Sequence, residues 1–131
     1  MSSPMNDSPD ARRNAAVGFL RAASSGRVRE AYERYIGPDF KHHNPHFGGD
    51  AAALRAAMEQ DAAEHPNKVL KVQRVLADDD LVAVHSWVRM TGDDAGYALV
   101  HIFRFAGDRV VELWDIAEPV PASSPNANGM F

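Results

Sequence analysis

Two runs, Tyr97-Ala98-Leu99-Val100-His101-Ile102-Phe103-Arg104-Phe105 and Val110-Val111-Glu112-Leu113-Trp114-Asp115-Ile116-Ala117-Glu118, flank a short Gly107-Asp108 segment. Both alternate with a period of two, and the glycine between them marks a turn, so the pair reads as a β-hairpin. Side chains alternate across a strand, which groups Tyr97, Leu99, His101, Phe103 and Phe105 on one face. Val111, Leu113, Asp115 and Ala117 form the corresponding set on the return strand. Each set is mainly apolar, broken by one histidine or one aspartate. A three-residue loop, Gly107 to Arg109, sets His101 opposite Asp115 with Cβ atoms roughly 5 Å apart. A two-residue loop sets them on opposite faces. The first register keeps Phe103 and Phe105 with Leu113 and Val111, and is therefore expected.

Working outward, Val69–Ala77 and Leu81–Met90 are two further strand runs, joined across Asp78-Asp79-Asp80. On the second, Leu81, Ala83, His85 and Trp87 share one face, and Val82, Val84, Val88 and Met90 the other. The pattern leaves open which of them points inward. Nearer the N-terminus the period lengthens to that of a helix. Ser8 as cap and Pro9 at the first position start a helix through about Ser24, striped by Ala16, Phe19, Leu20 and Ala23. Gly26 breaks it. A second helix carries Val28, Ala31, Tyr32, Tyr35 and Ile36 on one face and ends at Gly37-Pro38. Residues 39–49 read as an irregular, histidine-rich loop, and Asp50 caps a third helix that stops before Pro66. Residues 1–8 read as a flexible arm, 9–118 as one domain and 119–131 as an irregular tail. Three helices followed by antiparallel strands predict an α+β fold, with the helices covering one face of a curved sheet.

Composition narrows the function. The 131 residues suit one domain with a real core. With 14 basic against 18 acidic residues and no basic run, the chain lacks the patch a nucleic-acid binder needs. The absence of cysteine removes disulfides, thiolate nucleophiles and Cys-based zinc sites. No apolar stretch is long enough to span a membrane, and the first residues lack a secretory signal, so a cytoplasmic location is expected. His42, His43 and His46 sit close together, but His-His-x-x-His in a Pro-containing loop lacks a recognised zinc spacing, so no metal site is expected. No phosphate loop, nucleophile elbow or dinucleotide fingerprint is present.

The chemistry therefore concentrates on His101 and Asp115. An ionised carboxylate facing an apolar interior is costly unless paired. Burial raises its pKa and a nearby positive charge lowers it, a balance that suits general acid–base work. The same pair also fits a His–Asp contact that only organises the core.

The chain resembles the SnoaL-like polyketide cyclase branch of the NTF2-like superfamily, in particular small bacterial proteins described as SnoaL-like aldol-condensation enzymes. The resemblance rests on Phe40-Lys41-His42-His43-Asn44-Pro45, Val84-His85, Ile102-Phe103-Arg104, Val110 to Asp115, and the ending Asn128-Gly129-Met130-Phe131. It implies an NTF2-like conical barrel: three helices inside a strongly bent antiparallel sheet, with a pocket at the open end. It also implies cofactor-independent aldol ring closure, with Asp115 as acid/base and His101 assisting. His43, Asn44, His85, Trp87 and Phe103 are the expected substrate-binding residues. A histidine at 101, where the group often has aspartate, and Leu113, where histidine is more usual, depart from its pattern. The expected ligand is a small apolar or aromatic carbonyl compound. A non-catalytic ligand-binding pocket or a steroid-isomerase-like proton shuttle would use the same cavity. Ile102, Trp114 and Ile116 on the outer sheet face suggest a homodimer through that face.

Overall fold

The computed structural model describes residues 7–131. Most of the arm expected over residues 1–8 lies outside the described residues. Helix α1 spans Pro9–Ser24, with the Ser8 hydroxyl accepting from the Ala11 amide at 3.1 Å. It ends in a Schellman turn. Arg27 N–H donates to Ala22 C=O (2.9 Å) and Gly26 N–H to Ala23 C=O (3.3 Å), with Gly26 at φ +88°. Helix α2 spans Val28–Tyr35 and α3 spans Ala51–Glu64, the latter capped by the Asp50 carboxylate on the Ala53 amide. Ala16, Phe19 and Leu20 of α1, Ala31 and Tyr32 of α2, and Leu54 of α3 face the sheet and are buried.

The strands are β1 (Ile36–His42), β2 (Val69–Asp78), β3 (Leu81–Arg89), β4 (Tyr97–Ala106) and β5 (Arg109–Pro119), in the order β1-β5-β4-β3-β2. This is the expected α+β architecture, three helices on a curved sheet, with three corrections. First, the sheet is open at both edges and does not close into a barrel. Second, the stretch expected to be irregular from residue 39 is a strand as far as His42, and it runs parallel to β5. Pro38 lies in this edge strand, where a missing amide hydrogen is tolerated. The alternating burial of Phe40 and His42 is the sequence signal that the proline masked.

The third correction concerns the β4–β5 connection. Ala106 pairs with Arg109, so Gly107-Asp108 is a two-residue turn, with Gly107 at φ +61°. Such a turn alone would set His101 and Asp115 on opposite faces. A β-bulge restores the expected register: Phe105 pairs with Val110, Arg104 with Glu112, and Val111 is the extra residue. His101 consequently lies directly across from Asp115, and Val110 rather than Val111 fills the core beside Phe105.

Between helices and sheet, Phe19 meets Tyr32 and Phe103 edge to face, with ring centroids 5.5 and 5.9 Å apart. Val82, Val84, Ser86 and Val88 point into this core, which settles the inward face of β3. Among the described residues no helix is long and apolar enough to cross a membrane.

Candidate active site

Beyond the aromatic core, at the end where β2 and β4 begin and β3 and β5 finish, the helices and sheet diverge around a cavity of about 320 Å³. Leu20, Leu54, Met58, Leu70, Val88 and Leu99 make most of its wall apolar. Asn44, His101 and Asp115 provide polar groups on one part of the wall, Asp61 and Lys68 on another.

Asp115 is placed by the bulged register of β5, and its side chain is only 15% exposed. Its two oxygens have different neighbours. The Asn44 side-chain amide donates to Oδ2 at 2.9 Å. Nε2 of His101 stands 3.4 Å from Oδ1, a contact too long for a strong hydrogen bond. Burial pushes the His101 pKa below its ordinary value, and the Asp115 charge opposes that shift only in part. Beside this carboxylate, burial thus favours the neutral imidazole over the charged one. Its other nitrogen, Nδ1, is buried and has no hydrogen-bond partner among the described residues. With Nε2–H turned toward the carboxylate, Nδ1 is a free acceptor.

Lys68 and Asp61 form an ion pair across the cavity wall, and Nδ1 of His65 contacts the same Asp61 carboxylate at 3.1 Å. Burial lowers the Lys68 pKa. Tyr32 donates to the Met58 sulfur at 3.4 Å, and burial raises its phenol pKa well above the usual value.

Three residues expected at the site, Asp115, His101 and Asn44, line the cavity together. Asn44 touches the carboxylate itself. The other four lie elsewhere. His43 turns to the outer face, where it stacks on Trp114 (centroids 5.0 Å apart) and approaches Glu112 at 2.6 Å. That hydrogen bond, with Lys41 and Arg104 nearby, holds the Glu112 carboxyl below its usual range. His85 and Trp87 occupy the outer face of β3, because the valines at 82, 84 and 88 take the inward positions. There His85 stacks on Phe131 of the C-terminal tail, and the Trp87 indole donates to Ala95 C=O at 3.0 Å. Phe103 is fully buried beneath His101 and belongs to the core rather than the cavity wall. Lys68 and Asp61 were not anticipated: they are seven residues apart across a helix end, with no local motif to join them. The three loop histidines diverge, and no three His, Asp or Glu side chains converge as a metal site among the described residues.

None of the functionally curated proteins matches the chain. Solved structures share the fold. AclR from Streptomyces galilaeus, a proposed hydroxylase, superposes with a TM-score of 0.73 at 23% identity, over 85% of this chain and 91% of that one. A proposed polyketide cyclase from Acidithiobacillus ferrooxidans gives 0.69 at 21% identity, over 82% and 88%. An NTF2-like protein from Cytophaga hutchinsonii gives 0.65 at 16% identity, over 91% and 96%. At these identities the likeness establishes an NTF2-like fold and no more. The sequence model of the SnoaL-like domain matches residues 16–113, a span that runs from the first buried turn of α1 to Leu113, two residues short of the cavity aspartate. The chain belongs to the SnoaL-like domain family.

Proposed function

We propose that this protein is an acid–base enzyme that closes a ring by aldol condensation within a small apolar carbonyl compound, using Asp115 and no cofactor. The observation that carries the reading is a carboxylate on an apolar cavity wall, with Oδ2 held by Asn44 and Oδ1 facing the His101 imidazole at 3.4 Å. Asp115 removes a proton from carbon beside a carbonyl. The resulting enolate carbon attacks a second carbonyl of the same molecule, forming the C–C bond. The new alkoxide takes the proton back from the Asp115 carboxyl group, which restores the starting state. His101 Nε2–H faces the ionised form of Asp115 and stabilises it. A positioned acid–base group contributes roughly 10²–10⁴-fold, and enclosing both carbons in one cavity adds a proximity gain.

The test is turnover of a panel of bicyclic aromatic diketones, with products identified by mass spectrometry. Asp115→Asn should bind the same compounds with little change and convert them roughly 10²–10⁴-fold more slowly. Equal turnover by parent and variant would refute the mechanism. Tight binding without any product would favour a ligand-binding role. A shifted double bond in place of a new ring would favour an isomerase. We further propose that two copies pair through the outer sheet face, where Ile116 is 62% exposed beside Trp114 and Ile102.

A further inference from the structure

We infer that His42 is a positioning residue for Asp115, acting through Asn44. The loop after β1 leaves the sheet at His42, whose amide donates to Gly49 C=O at 3.1 Å. The His42 ring fills the inside of that loop and is only 5% exposed. Its Nδ1 accepts from the Asn44 amide at 3.1 Å, while its Nε2 contacts Gly48 C=O. A carbonyl oxygen can only accept and a backbone N–H can only donate, so the ring is neutral with its proton on Nε2. Asn44 is then held at three points. Its backbone amide is fixed by His42, its side-chain oxygen accepts from the His46 amide at 3.0 Å, and its side-chain nitrogen donates to Asp115 Oδ2 at 2.9 Å. Amide oxygen and nitrogen are thus assigned by their partners, and the donor end faces the carboxylate.

One ring therefore ties the start and the end of a six-residue loop together and sets the amide that orients the carboxylate. A histidine serving only as core filling would need neither contact, since Phe40 already lies against its ring with centroids 6.3 Å apart. The two nitrogens can be tested separately. In His42→Asn the side-chain oxygen falls near the position of Nδ1 and keeps the acceptor for Asn44. In His42→Gln the side-chain nitrogen falls near Nε2 and keeps the donor to Gly48, but the acceptor is lost.

The experiment compares the full-length parent, His42→Asn, His42→Gln and Asn44→Ala by ¹⁵N–¹H NMR. The readouts are the Asn44 side-chain amide signals and the hydrogen-exchange protection of the Asn44 backbone amide. His42→Asn should retain both. His42→Gln should lose the backbone protection and move the side-chain signals toward free-amide positions. In the turnover assay, His42→Gln should lower kcat roughly 10- to 100-fold with KM nearly unchanged, and His42→Asn should restore most of that rate. Only this kinetic arm rests on the proposed reaction; the NMR arm stands even if Asp115→Asn proves fully active. Identical Asn44 signals in His42→Asn and His42→Gln would overturn the inference, whether both match the parent or both are lost.

Discussion

Asp115 has one firm partner, Asn44 at 2.9 Å, and one looser one, His101 at 3.4 Å. A hydrogen bond to a charged group is worth about 1.5–3 kcal/mol, so Asn44→Ala should lower turnover by roughly 10- to 100-fold. Steady-state kinetics at saturating substrate measures this, and a loss confined to KM would reassign Asn44 to substrate binding. His101 leads to a pH prediction. In the unfolded chain a histidine takes up a proton near pH 6.5, whereas burial holds the folded-state pKa of His101 lower. Between those two values the unfolded state binds more protons, so stability falls as pH falls. His101→Gln removes this contribution. The stability gap between parent and variant, from urea unfolding, should therefore narrow between pH 7.5 and pH 5. A gap that widens toward acid would mean that His101 is charged in the fold and truly ion-paired.

At the level of elements, the β3–β4 connection is the least tolerant turn. Gly96 has φ +92°, and a Cβ placed there would lie 2.5 Å from the Trp87 indole nitrogen and 2.6 Å from Val88 C=O. Gly96→Ala should destabilise the protein by more than about 1 kcal/mol, read as a fall in thermal midpoint. Gly26→Ala, with the same positive φ and open space around it, meets only the conformational cost and should lower the midpoint less. The helices and the four later strands were legible because their periods are clean and their ends carry Ser8, Asp50 and glycine signals. Strand β1 was not, because Gly37-Pro38 reads as a stop and a parallel edge strand needs a distant partner to exist. The facing of His101 and Asp115 followed from apolar patterning, although a bulge at Val111, invisible to a period-two count, brings it about. His85 and Trp87 were misplaced for a related reason. Alternation groups side chains into two faces, but only packing against α1 says which face is inside.

At the scale of the whole molecule, helices and an open, bent sheet enclose a cavity on one side and leave an apolar strip on the other. Dimerisation through that strip should give a scattering mass of twice 14.3 kDa, reduced to that of one chain by Ile116→Asp. A monomeric parent at micromolar concentration would remove the proposal without touching the cavity. Its chemistry can be observed with a surrogate ketone. A bicyclic aromatic ketone such as 2-tetralone, incubated in D₂O, exchanges the hydrogens beside its carbonyl slowly unless a base is held against them. Proton NMR should show this exchange accelerated by the parent and returned to the buffer rate by Asp115→Asn. Exchange as fast in the variant as in the parent would contradict the role given to the carboxylate at the cavity wall.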